Sequence, residues 1–334
     1  SSDLFKYLGA VMHQTKGLNL AVDCLKAAGM RALWGMQARC KRRRIVDFSM
    51  LCRLYRVLAQ PILNYCSEVW APGLMHDLDK ALHAPLQVVQ NDFVRFLGGL
   101  RSRVPVDVLA KESGLQPISR MWLAACCKLW NRVVAARGGL LRDAFLDNLE
   151  LAQSMASERT PTCTKVWCGA WITTMHWLAA MGDETVRDCV SIMEDVIAGD
   201  SAAALLRPVA TDAALKAFDR ALSTYTSHRA KRSPVSAAVV GEYMQCYAIR
   251  PDDQVEEDGF PADMPYYFKH TSRFNTHAHA RTLMRVRCVS YPLAACPTSF
   301  TSDKICAHCH NSGAAPAPQE TIENVVFDCP GYAG

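Results

Sequence analysis

Residues Leu51–Pro72 read LCRLYRVLAQPILNYCSEVWAP, and the spacing within this stretch decides how the chain is read. Joined to the residues just before it, Phe48, Leu51, Tyr55 and Leu58 recur every three or four positions and form one apolar stripe. Ser49, Arg53, Arg56 and Gln60 form the opposite one. That period predicts an amphipathic helix over 45–60, with Arg53 and Arg56 facing away from the core. Pro61 has no N–H and its ring crowds the preceding turn. The expectation is a kink and not a stop, because Ile62 continues the apolar stripe.

Working upstream, Leu18, Val22, Leu25, Ala32 and Met36 keep helical spacing over 18–38, and Asn19 is suited to cap that helix. His176, near Trp167 and Trp171 in a region rich in Ala, Met and Trp, is expected to be a packed core histidine. Downstream, helices are expected at 77–97, 105–112 and 117–137, broken by Gly98-Gly99 and Gly138-Gly139, with a further helical region over 165–230.

Charge is unevenly spread. The whole chain of 334 residues has a formal net charge of +5, yet residues 1–60 hold eleven Lys or Arg against three Asp. The peak is Arg39, Lys41, Arg42, Arg43 and Arg44. Such asymmetry points to an acidic partner, usually nucleic acid, against the simpler reading of a solvated helix end. A second basic stretch, 266–290, carries Lys269, Arg273, Arg281, Arg285 and Arg287 among Tyr266, Tyr267, Phe268 and Phe274. Cations that hold phosphates beside aromatics that stack on bases suit single-stranded nucleic acid, but taken alone the stretch favours the simpler reading of a helix with a solvated basic face and inward-packed aromatics. Before it, PDDQVEEDGFPADMP at 251–265 holds six acids and three prolines and reads as an exposed linker.

The composition excludes several classes. Half the residues are apolar and 21% are charged, which rules out uniform disorder, a collagen-like fibre and a coiled-coil rod. No uninterrupted apolar run reaches ~18 residues, so no membrane partner is expected. The opening SSDLFKYLG has no leader pattern and no initiator Met, which reads as a fragment or a processed chain. With 15 Cys and no leader, reduced thiols and an intracellular setting are expected, and the basic cluster would also serve nuclear entry.

The last segment, KICAHCHNSGAAPAPQETIENVVFDCP, carries a C-x-x-C at Cys306 and Cys309 with Cys329 twenty residues on. In a tight turn that spacing brings two thiolates to one tetrahedral Zn, and Cys329 offers a third. Asn324 occupies the obvious place for a fourth ligand. His310 and His308 are close substitutes, and Cys296 and Cys288 are more distant ones. The alternative is a set of reduced core cysteines.

Three segments together resemble the C-terminal region of reverse transcriptases from non-LTR (LINE-type) retrotransposons. The segment FKYLG (Phe5, Lys6, Tyr7, Leu8, Gly9) is similar to the hairpin that follows the palm in that family and grips the primer end. Tyr55, Pro61, Tyr65 and Trp70 resemble its thumb signature. Gln90, Arg95, Gly98, Pro105, Leu109, Glu112, Gly114 and Pro117 keep its spacing. The Cys306–Cys329 segment is similar to its zinc-binding end, with Asn324 where the family has His. The resemblance covers 1–135 and 281–333.

What it implies is a mainly α fold. A short N-terminal β-hairpin (1–17) would lead into a thumb-like helical bundle (18–138) and a helical connector (139–250). The acidic linker (251–265) would precede a basic segment with a small Cys-rich, zinc-knuckle-like module (266–334). The implied partners are an RNA template and a DNA primer or target, and the upstream palm of the same polyprotein. The family's aromatic-x-Asp-Asp motif, which holds catalytic Mg, precedes the hairpin and is absent here. Asp252-Asp253 lies in the linker and has the wrong context, so no catalytic residue is expected. The rival reading is a helical interaction protein without a polymerase role.

Overall fold

The computed structural model describes residues 4–7, 10–13, 19–100, 104, 108–109, 113–157, 166–182, 184–198, 205–229, 281–282 and 284–285. Over these residues the chain is mainly α-helical. Strands β1 (Leu4–Tyr7) and β2 (Ala10–His13) pair antiparallel, with Leu4 opposite His13 and Tyr7 opposite Ala10. β2 lies against α1.

Helix α1 (Asn19–Arg43) runs on through most of the cation cluster, past the end expected at residue 38. Ala, Met, Gln, Lys and Arg are all good helix formers, and nothing before Arg44 breaks the run. The end is a Schellman motif. Ile45 N–H donates to Cys40 O at 2.9 Å, Arg44 N–H donates to Lys41 O at 3.1 Å, and Arg44 takes φ 53°. Helix α2 (Phe48–Leu58) is capped by Asp47, whose carboxylate accepts from Met50 N–H at 2.6 Å. Phe48, Leu51 and Tyr55 are buried as the stripe predicts. Leu58 is not: it is exposed at the helix end.

Pro61 does more than kink. Helix α2 stops at Leu58, and Pro61 sits in the first turn of a new short helix, α3 (Gln60–Leu63), where its missing N–H costs nothing. Two more single-turn helices follow, α4 (Ser67–Trp70) and α5 (Pro72–Met75), with Cys66 in the left-handed region at φ 51° between α3 and α4. Each break frees carbonyls that a continuous helix would have used. Indole N–H groups take several of them. Trp122 donates to Leu63 O at 3.3 Å, Trp70 to Tyr65 O at 2.9 Å, Trp167 to Glu68 O at 2.8 Å and Trp177 to Met75 O at 3.0 Å. Tryptophan is suited to this role, because one side chain fills core volume and also supplies a donor.

The helix expected over 77–97 is split at Pro85 into α6 (Leu78–Leu82) and α7 (Pro85–Gly98). The helix expected over 105–112 lies mostly outside the described residues, although Val108 and Leu109 are helical and buried. Helix α8 (Ile118–Ala135) follows Pro117, which has no side-chain acceptor for the helix N-terminus. Buried Gln87 of α7 supplies one: its Oε1 accepts from Ile118 N–H at 2.9 Å, and its Nε2 donates to Asn91 Oδ1 at 3.0 Å. After Gly138-Gly139 come α9 (Leu140–Ser157), α10 (Trp167–Ala179), α11 (Glu184–Ala198) and α12 (Thr211–Arg229).

One hydrophobic cluster runs from Val22 to Leu222 and takes in Met284, so helices on both sides of residue 138 share a core. Arg120 of α8 forks onto Asp219 of α12, with Nε–Oδ1 at 2.8 Å and Nη2–Oδ2 at 2.9 Å. His176 is not in the core as expected. It is exposed on α10, 3.1 Å from Glu194 Oε1, while the neighbouring Met175 takes the buried position. Among the described residues no helix is long and apolar enough to cross a membrane.

Candidate nucleic-acid interface

Between Asp23 and Glu68 the chain holds nine Lys or Arg and one acid, Asp47. That carboxylate is engaged at the N-terminus of α2. Arg39, Lys41, Arg42 and Arg43 occupy the last turns of α1, Arg44 follows at its C′ position, and Arg53 and Arg56 lie on α2, which packs against α1. All seven are exposed, and among the described residues none forms an ion pair. Arg39, Arg42 and Arg43 line an open surface concavity of about 600 Å³.

Some of this charge has a local purpose. A methyl at Gly29 of α1 would strike Leu63 and lie 3.7 Å from Val89 of α7, and Lys41 Nζ stands 6.0 Å above the Phe96 ring. The two contacts place the C-terminal ends of α1 and α7 on the same side of the molecule. Each end carries about half a negative charge, but the α7 end is taken up by Arg281 and Arg285, so only about half a cation is offset here. Seven exposed cations on α1 and α2 far exceed that, and the surplus faces solvent.

Arg281 and Arg285, expected from sequence among the phosphate contacts, take another place. Arg281 Nε donates to Leu97 O at 2.9 Å. Arg285 Nε donates to Gly98 O at 3.3 Å and Gly99 O at 3.2 Å. They therefore cap the last carbonyls of α7, and Met284 between them is fully buried. Burial also lowers the Arg281 pKa, with the neighbouring Arg285 charge adding to the effect. The seat is made by the glycine pair: a methyl at Gly98 would meet Met284 Sδ, and one at Gly99, which has φ 61°, would meet the Arg285 guanidinium.

The remaining candidates divide simply. Phe5, Lys6 and Tyr7 lie on β1. Leu8, Gly9, Lys269, Arg273 and Arg287 lie outside the described residues, as do the zinc candidates Cys306, Cys309, His310 and Cys329. Among the described residues no cluster of His, Cys, Asp or Glu is arranged to hold a metal. The described cysteines are free thiols. Cys40, Cys52, Cys126, Cys127 and Cys168 are buried, whereas Cys24 is exposed. Burial pushes the Cys52 thiol up to about 11 and the Cys127 thiol up to about 12, so neither supplies a thiolate near neutral pH.

The residues quoted for the thumb signature mostly build the fold. Tyr55 stacks on Phe93 at 4.2 Å between centroids, and Trp70 packs edge-on against Trp122 at 5.0 Å. Gln90 Nε2 donates to Gln116 O at 2.8 Å. Sequence reading missed Trp34, which is 58% exposed on α1. Its signal was an aromatic at a position the helical period turns outward. No family model, curated protein or solved structure matches the chain.

Proposed function

We propose that the chain holds nucleic acid by its phosphates on the surface formed by the end of α1 and by α2. In this reading it is the thumb-like, C-terminal part of a LINE-type reverse transcriptase. The observation that carries the proposal is the run of nine cations against one committed acid between Asp23 and Glu68, with its densest part exposed and, among the described residues, free of ion pairs. Arg39, Lys41, Arg42, Arg43, Arg44, Arg53 and Arg56 are the contacts. In the same reading Phe5 to Gly9 are the primer grip, and β2, which follows them, lies against α1. Zinc at Cys306, Cys309, Cys329 and His310 belongs to the same reading, on spacing alone. So do an RNA template, a DNA primer, nuclear entry, and a palm of the same polyprotein that carries Mg and the chemistry. The chain itself does not polymerise.

The test is an anisotropy titration of a labelled duplex at several salt concentrations. Each phosphate neutralised contributes about −0.9 to the slope of log K against log salt. The wild type should show a steep slope, and Arg42→Ala and Arg43→Ala should each flatten it by about one unit with little change in sequence preference. Affinity indifferent to salt, or to both substitutions, would sink the proposal.

A further inference from the structure

We infer that Trp34 is a stacking platform for an unpaired base of single-stranded nucleic acid. The inference rests on the phosphate-binding reading above and narrows its substrate. The chain has seven tryptophans. Five of them, Trp70, Trp122, Trp130, Trp167 and Trp177, donate their indole N–H to backbone carbonyls, and Trp171 is fully buried. Trp34 alone is exposed, at 58%, and among the described residues it makes no hydrogen bond, ring contact or cation contact.

Helix α1 sets its surroundings. Val22, Gly29, Leu33, Met36 and Cys40 are the buried face. At about 3.6 residues per turn the opposite face carries Ala27, Arg31, Trp34, Gly35, Ala38 and Arg42, all of them exposed. Ala27, Gly35 and Ala38 are small, so on this face of α1 a polynucleotide backbone can approach the helix closely. Arg31 stands one turn before Trp34, and Lys41 follows about 10 Å along the axis. The concavity lined by Arg39, Arg42 and Arg43 opens at the end of the same helix.

A surface tryptophan alone means little. Two features give this one an occupant. It is the one large apolar side chain exposed on α1, so this helix presents no apolar patch of the kind a protein partner covers, and the large side chain one turn before it is the cation Arg31. Between Asp23 and Asp47 there are seven cations and no acid, a field that selects a polyanion. A single strand satisfies both features: its phosphates meet the arginines and one of its bases lies on the indole. A duplex keeps its bases stacked on one another and offers only phosphates.

The full chain is titrated with a labelled oligothymidine and with a duplex, each of about 20 nucleotides, a length that spans a typical single-strand site. Trp34→Ala should weaken the single strand by roughly tenfold, from the ~1–3 kcal/mol that one base–aromatic stack contributes. It should leave duplex affinity and the salt slope unchanged, and Trp34→Phe should keep most of the affinity. Because the ring is exposed, the far-UV spectrum of each variant should match the wild type. Wild-type binding that survives Trp34→Ala, or falls equally on both probes, overturns the inference alone. Binding of neither probe by the wild type overturns the phosphate reading with it. Self-association of the wild type that Trp34→Ala abolishes assigns the face to a second copy and also overturns the inference.

Discussion

A residue with a Cβ at the C′ position of a helix bears a conformational cost, and Arg44 bears it at the end of α1, with φ 53° and both Schellman hydrogen bonds in place. Glycine removes that cost, which is about 1 kcal/mol for an L-residue in the left-handed region. Arg44→Gly should therefore raise the unfolding free energy by about 1 kcal/mol, read as a higher urea midpoint at unchanged m, an inversion of the usual effect of glycine near a helix. If Arg44 contacts a phosphate, the same variant flattens the salt slope by about one unit. A variant less stable than the wild type would show that the left-handed cap is absent in solution. Charge and period told which residues face out: Arg53 and Arg56 are exposed as the stripe requires. They could not tell which tryptophan is left in solvent, because Trp34 keeps the same company of Ala, Gly and Met as a buried ring would. They also misplaced His176, since one step around α10 separates it from buried Met175.

At the scale of elements, the end of α7 shows two functions in one dipeptide. Gly99 takes φ 61° and closes the helix, and its missing side chain also leaves room for the Arg285 guanidinium. Gly99→Ala should cost about 2 kcal/mol in a denaturant titration, since it adds backbone strain and a collision. In an Arg285→Ala background the collision is gone and only the strain remains, so the same substitution should cost about 1 kcal/mol. Equal costs in the two backgrounds would mean that Arg285 does not dock there. The glycine pair was legible as a break, because left-handed φ is a local property. Its second use was not, because the partner lies 186 residues away in sequence and no period connects the two. For the same reason Arg281 and Arg285 read as phosphate ligands: composition registers the charge but not the orphan carbonyls that consume it. Pro61 was legible as a disturbance, whereas Pro85 falls inside the helix expected over 77–97. That each opens a new helix depended on partners elsewhere, the indoles of α8 and α10 after Pro61 and the facing core for α7.

At the scale of the whole molecule, residue 138 is a break in the chain without being a break in the core. A connector beginning at 139 is the expectation from sequence, since Gly138-Gly139 ends one helix and the resemblance does not extend over 140–250. Yet Trp167 and Trp177, both beyond the break, satisfy Glu68 O and Met75 O in the broken run before it. Trp130 lies 6.4 Å from Trp171 and 5.6 Å from Phe145 between ring centroids, and Arg120 is forked to Asp219. Removing everything after residue 138 would uncover buried apolar side chains of α5 and α8, among them Met75 and Trp130, and re-exposing each costs about 1.5–3 kcal/mol. Domains of this size have only about 5–15 kcal/mol in hand, so the loss is comparable with the whole of it. A chain of residues 1–138 should keep far-UV helicity, lose near-UV tryptophan ellipticity and unfold without a cooperative transition, whereas the full chain should show both ellipticity and cooperativity. The basic surface would then lose its support, because α1 and α2 rest on α7, and α7 leans through Gln87 on α8. Duplex affinity of the truncated chain should fall while its salt slope per bound phosphate persists, since the cations remain and only their arrangement is lost. A sharp urea transition and native near-UV signal from residues 1–138 would show instead that the bundle holding the cations folds as its own unit, with α9 to α12 as a separate layer against it.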